Sequence, residues 1–173
     1  KLIKSEMVTS LNKQNIVLTG FMATGKSTVG ASIANQLHRT VIDIDTLIEQ
    51  RTEMSISQIF ADYGEVFFRA VESGICHEVC MRNNLVIATG GGAIIDEANR
   101  NAFLQTSFVV CLTASHEAIE SRLSESSSRP LASAWRAKLA ARQAIYDAIP
   151  YQIDTSDLTP NQIAKEIILL WQN

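Results

Sequence analysis

The chain has 173 residues, 46% of them apolar, and a formal net charge of −3. That length suits one domain with a sizeable core, and the acidic balance excludes the basic footprint that non-specific nucleic-acid binding requires. No apolar stretch approaches membrane-spanning length, no secretory signal is evident, and an odd count of three cysteines without metal-ligand spacing predicts reduced thiols in a cytoplasmic protein.

Residues 1–15 are polar with little periodicity and predict a loose or short helical leader, within which Met7 is a candidate start. The apolar run Ile16-Val17-Leu18 predicts a buried strand over about 15–19. It leads into Gly20-Phe21-Met22-Ala23-Thr24-Gly25-Lys26-Ser27-Thr28, which fits the pattern G-x-x-x-x-G-K-[ST]. Val29, Ile33, Ala34 and Leu37 then recur at helical spacing. A strand, a Gly-bearing turn and a helix start converge several backbone N–H groups on one point, and the helix dipole adds partial positive charge there. The product is a pocket for a polyphosphate. Ala23, Thr24, Gly25, Lys26, Ser27 and Thr28 are the candidate nucleotide-binding residues, with Lys26 reaching the outer phosphates and Ser27 placed to ligate magnesium.

Residues 40–43 predict a second strand ending in Asp43-Ile44-Asp45. From Thr46 to Arg82 the pattern is helical in several pieces, more than a simple crossover requires, and the stretch of about 45–82 is a candidate substrate-binding insertion. Residues 85–89 read as a central parallel strand that ends in Gly90-Gly91-Gly92. A helix over about 96–104, a strand over 108–112 and a helix capped by Ser115 follow. The serine-rich stretch around Arg129 and Pro130, about 124–134, reads as a mobile surface segment. A helix resumes to about Ala148, then a strand over 151–154 and a last helix opened by Thr159-Pro160. Five strands alternating with helices predict a three-layer α/β/α architecture with a five-stranded parallel sheet, whose ligands collect at the strands' carboxyl ends.

The remaining chemistry sits at those ends. If extended geometry persists through residues 43–45, Asp43 and Asp45 point the same way, Asp43 towards a metal and Asp45 towards a phosphate acceptor. Asp45 also suits a helix N-cap before Thr46. Arg69 either pairs with Glu65 or Glu72 on its own helix or offers a bidentate fork to a substrate carboxylate. The three glycines carry a large entropic cost, repaid if backbone N–H groups approach a ligand. Arg122, Arg129 and Arg142 flank or follow the mobile segment, and at least one is expected to meet charge as that segment closes. Cys76 and Cys80, one helical turn apart, read as buried small residues, and His38, His77 and His116 as structural or surface residues.

Together the blocks 20–30, Asp-Ile-Asp at 43–45, Gly-Glu-Val-Phe-Phe-Arg at 64–69, Thr-Gly-Gly-Gly-Ala at 89–93, Arg-Pro-Leu at 129–131 and Arg142 to Tyr146 make the chain resemble the shikimate kinases from Ile16 to Trp171. The resemblance implies a single P-loop kinase domain, nucleoside-monophosphate-kinase-like, with a lid at about 124–134 and a shikimate-binding insertion. It implies transfer of the ATP γ-phosphate to the 3-hydroxyl of shikimate with magnesium. Asp45, Arg69, Gly91, Gly92 and Arg142 would hold shikimate, and the two arginines its carboxylate. Arg129 would be the lid arginine, Arg122 would lie against adenine, Lys26 would bridge phosphates, and Ser27 and Asp43 would serve the metal. Lys26, Asp45 and Arg129 are then the catalytic set. ATP and shikimate are the expected partners of a monomer, without nucleic acid or membrane. Ala23 stands where relatives usually have glycine, Ala144 where proline is common and Ile145 where leucine is, and the lid is less basic than in many of them. Gluconate kinase, which shares the P-loop architecture, and a non-catalytic nucleotide-binding relative are the competing readings.

Overall fold

Strand β1, Asn15–Gly20, forms the middle of the sheet because its residues 16–18 are apolar on both faces and none is accessible to solvent. The computed structural model describes residues 14–125 and 134–173. Within them, β2 (Thr40–Asp43), β3 (Leu85–Ala88), β4 (Ser107–Thr113) and β5 (Tyr151–Asp154) complete an all-parallel sheet ordered β2-β3-β1-β4-β5. The described residues also form eight α-helices: α1 (Lys26–Leu37), α2 (Ile44–Thr52), α3 (Ile56–Asp62), α4 (Gly64–Cys80), α5 (Glu97–Thr106), α6 (His116–Ser124), α7 (Trp135–Asp147) and α8 (Pro160–Gln172). The expected leader over residues 1–13 lies outside the described residues, as do residues 126–133, most of the expected lid with Arg129.

The period-2 alternation of the strands sorts the core into two layers. Val17, Ile87, Val109 and Cys111 face one cluster with Ile44, Ile48, Ile75, Phe103 and Tyr146. Ile16, Leu18, Val86, Val110 and Leu112 face the other, where Val29 and Ile33 of α1 meet Ile163 and Ile167 of α8. Truncating a fully buried isoleucine of this kind to alanine costs about 2–5 kcal/mol. The helix boundaries follow local chemistry. Ser115 accepts from the N–H of Ala118, and Thr159 and Gln162 form a reciprocal capping box with Pro160 as the first helical residue. All three cysteines are free and buried.

One local expectation is corrected. Extended geometry does not persist through residues 43–45: α2 begins at Ile44, and Asp43, not Asp45, is its N-cap, its Oδ1 accepting from Thr46 N–H at 3.2 Å. Asp45 therefore sits in the first turn of a helix, where a carboxylate complements the dipole. In α4, the buried stripe is Phe68, Glu72, Ile75, Cys76 and Val79, while Val66 stands 87% exposed.

From β1 the chain leaves for α1 and β2, and β1 takes β3 on one side and β4 on the other. The crevice at such a switch opens beyond the strand ends, where residues 20–25 and the glycines 90–92 lie.

Candidate active site

The loop between β1 and α1 is built on backbone conformations few residues tolerate. Gly20 has φ +129°, and a Cβ there would lie 2.2 Å from the Leu112 carbonyl oxygen, so only glycine fits. Gly25 has φ +91° and precedes α1 without any side-chain cap. No acidic residue stands in the first turn of α1 either. Its leading N–H groups and the positive end of its dipole are left for an external anion. Ala23 adopts φ +61°, a left-handed conformation that costs alanine roughly 1–2 kcal/mol. Lys26 Nζ reaches across the loop to donate to the Phe21 carbonyl at 2.6 Å, which also accepts from buried Thr24 Oγ1 at 2.8 Å.

At the rim of this loop Ser27 Oγ donates to Asp43 Oδ2 at 2.5 Å. The pairing brings a hydroxyl and a carboxylate, both hard oxygen donors, to the carboxyl end of the sheet, a donor set that fits magnesium. Arg122, from α6, bonds the opposite side of the loop. Its Nη1 donates to the Ala23 carbonyl at 3.1 Å and to Thr155 Oγ1 at 3.0 Å, and its Nη2 to the Thr155 carbonyl at 2.6 Å. Arg122 thereby ties the loop to the segment after β5.

A second cluster adjoins the three glycines. Arg69 Nη1 donates to Glu72 Oε2 at 2.5 Å, while its contacts to Glu65 are longer, 3.2 and 3.3 Å. Glu72 is 1% exposed, an acid within the apolar stripe of α4. Burial pushes its pKa up, Arg69 opposes that, and the nearby Asp45 charge adds to it. Burial disfavours the Arg69 charge too, yet the bonds to Glu72 and Glu65 more than offset it and hold its pKa above the ordinary value. The partners respond differently because Glu72 is the more deeply buried of the two.

Gly90 and Gly92 are glycine because side chains of this cluster crowd them. A Cβ on Gly90 would lie 2.6 Å from Asp45 Oδ1 and 3.0 Å from Glu72 Oε1, and one on Gly92 2.6 Å from Arg69 Nη1. Arg142, from α7, donates to the Gly91 carbonyl at 3.2 Å. Arg69, Glu72, Gly92 and Arg142 line an open cavity of about 270 Å³ with Asp96 and Asn99. A smaller cavity of about 100 Å³ lies behind the phosphate loop between Phe21, Cys111, His116 and Tyr146. Among the described residues its walls carry no lysine or arginine, the fixed charges that balance a carboxylate or phosphate. The cavity beside Arg69 carries two arginines in its walls, the groups that pair with an anion.

Of the residues singled out from sequence, Ala23, Thr24, Gly25, Lys26, Ser27, Thr28, Asp43 and Arg122 gather at the phosphate loop. Asp45, Arg69, Gly91, Gly92 and Arg142 gather around the glycines. The sequence names Glu72 only as a possible partner of Arg69, Tyr146 only within the block 142–146, and Thr155 not at all. An acid in the middle of the Phe68-Ile75-Cys76-Val79 stripe is a legible signal of a buried charge, whereas the contacts of Tyr146 and Thr155 span 33 to 131 residues of sequence.

Comparison with known proteins points to one family. The family model described as shikimate kinase matches residues 22–171. A shikimate kinase of Thermoanaerobacter pseudethanolicus is 38% identical over 90% of this chain and 94% of its own length. One of Geobacter sulfurreducens is 41% identical over 89% and 88%. The solved shikimate kinase from Acinetobacter baumannii in complex with shikimate superimposes with a TM-score of 0.87 at 34% identity, covering 94% of this chain and 96% of that one. A gluconokinase from Sinorhizobium meliloti, 16% identical with a TM-score of 0.59, shares the fold alone. With a matching family model across most of its length and relatives of this identity along nearly the whole of their own chains, the chain belongs to the shikimate kinase family.

Proposed function

We propose that this chain transfers the γ-phosphate of ATP to the 3-hydroxyl of shikimate, giving shikimate 3-phosphate and ADP on the route to chorismate and the aromatic amino acids. The observation that carries the reading is the pairing of an uncompensated helix N-terminus at Gly25 with a two-arginine cavity across the glycine loop. The loop N–H groups and Lys26 cradle the phosphates, and Arg122 borders the nucleoside side. The insertion over about 45–82 and Arg142 supply the acceptor pocket. Arg69 meets the acceptor carboxylate by giving up Glu65, a long and exposed contact worth little, while buried Glu72 keeps the guanidinium oriented. Gly91 and Gly92 let the backbone approach the ring, and Asp45 accepts the hydrogen bond of the attacking hydroxyl. As the P–O bond to ADP breaks and the bond to the acceptor oxygen forms, that hydroxyl proton leaves towards Asp45. Ser27 and Asp43 would hold magnesium, which when bound supplies charge neutralisation at the phosphates. The segment 124–134 with Arg129 serves as lid. The protein works as a cytoplasmic monomer whose partners are these two substrates.

The test is one ATP-consumption assay with shikimate, gluconate and quinate as alternative acceptors. Shikimate should support the highest turnover, EDTA should abolish it and added magnesium restore it. Lys26→Ala should lower kcat by orders of magnitude. Preferred turnover of gluconate, or turnover with no acceptor, would refute the assignment.

A further inference from the structure

The Gly91 carbonyl is a junction. Tyr146 Oη donates to it at 2.5 Å, and Arg142 Nη1 donates to it at 3.2 Å. Both donors lie on α7, four residues apart, and so share one face. On its other side Gly91 rests against the phosphate loop, where a Cβ would meet Met22 N at 3.5 Å and the Gly20 carbonyl oxygen at 3.7 Å. The Tyr146 ring, 2% exposed, stands edge-on to Phe21 of that same loop, 6.5 Å between centroids at 77°. One phenol therefore touches the acceptor glycines through its hydroxyl and the nucleotide loop through its ring.

The two bonds to Gly91 are unequal. A short hydroxyl–carbonyl bond satisfies the oxygen well, whereas the arginine contact is long. Burial pushes the phenol pKa up, so the hydroxyl stays protonated and remains a donor. We infer that Tyr146 is a positioning residue for the acceptor. By supplying the principal donor to the Gly91 carbonyl, it leaves the Arg142 guanidinium available to the cavity and sets the height of the Gly91–Gly92 backbone above the phosphate loop. Without the hydroxyl, the part-buried carbonyl draws Arg142 inwards, because a poorly met acceptor there is costly.

This inference rests on the shikimate reading above, and the experiment separates the two. In Tyr146→Phe the ring and its packing against Phe21 are kept. The KM for shikimate should rise about three- to tenfold, the equivalent of one neutral hydrogen bond, while the KM for ATP stays within about twofold. The same substitution in an Arg142→Ala background should add no further rise, since the residue through which it acts is gone. A rise of equal size in both KM values, a full additive effect beside Arg142→Ala, or no change at all would overturn the positioning role. Wild type is run alongside. If it fails to phosphorylate shikimate, the functional reading falls and the inference with it. If it is active and Tyr146→Phe is unaltered, only the inference falls. Should the variant fold poorly, the wild-type hydroxyl proton, followed by NMR, must exchange slowly with water, and rapid exchange would equally overturn the role.

Discussion

Two adjacent glycines that look alike in sequence should behave differently when a methyl group is added. At Gly92, φ is −105°, so alanine is acceptable to the backbone. Its Cβ, however, would lie 2.6 Å from Arg69 Nη1 and 2.8 Å from Nη2, about 0.8 Å short of the 3.4 Å at which ordinary contact begins. The obstructed atoms are the far end of a flexible side chain, so the cost to folding is small, but the guanidinium must leave its place. A displacement of that size removes one or two charge-assisted hydrogen bonds to a bound carboxylate, at about 1.5–3 kcal/mol each. The KM for shikimate should then rise about ten- to a hundredfold or more, with the KM for ATP and the melting midpoint near wild type. At Gly91 the nearest atom to an added Cβ is Met22 N at 3.5 Å, ordinary contact, and Gly91→Ala should stay within a fewfold of wild type. Steady-state kinetics with each substrate varied in turn, beside a thermal melt, is the assay. Equal KM values for the two alanine variants, or a matching rise for ATP in Gly92→Ala, would refute the geometry of the acceptor pocket.

Ala23→Gly should stabilise the protein, because relief of a left-handed alanine, about 1–2 kcal/mol, exceeds the 0.4–1 kcal/mol that glycine adds to unfolded-chain entropy. The expected gain of about 0.5–1 kcal/mol corresponds to a rise of about 1–4 °C in the melting midpoint, and a fall would contradict it. Glu72 gives a pH signature. Its pKa in the folded protein is raised, so its favourable share is complete below the ordinary glutamate value and is lost as pH rises through the folded value. The stability advantage of wild type over Glu72→Gln, from urea titrations at several pH values, should shrink between acid and neutral pH. An advantage that grows instead would mean that the Arg69 pairing outweighs the burial.

Much of this arrangement is legible from residue order. The runs 16–18 and 85–88 are strands because nothing polar interrupts them, and the phosphate loop is recognisable because Gly20, Gly25 and Lys26 each meet a separate requirement of the turn. The errors lie where two local rules compete. Asp43 and Asp45 are both good N-caps, and only the actual start of α2 at Ile44 decides that Asp43 takes the role. Glu72 reads as a solvated partner of Arg69 until Gly90, eighteen residues on, packs over it, for a helix surface is exposed only if nothing distant covers it. The convergence of Arg142 and Tyr146 on Gly91 depends on packing between α7 and a loop more than fifty residues earlier, and no local pattern encodes it.

The central place of β1 has a consequence for synthesis of the chain. Its neighbours are β3, beginning at Leu85, and β4, ending at Thr113, so neither edge of β1 has a partner when it first leaves the ribosome. At about 5–20 residues per second, β4 follows β1 by on the order of 5–20 s. Until β3 emerges the apolar strand carries two open ladders, and until β4 emerges one, each a template for pairing with other chains. A nascent chain halted before Leu85 is thus an aggregation hazard. The most buried strand of the finished enzyme is the one that waits longest for its partners.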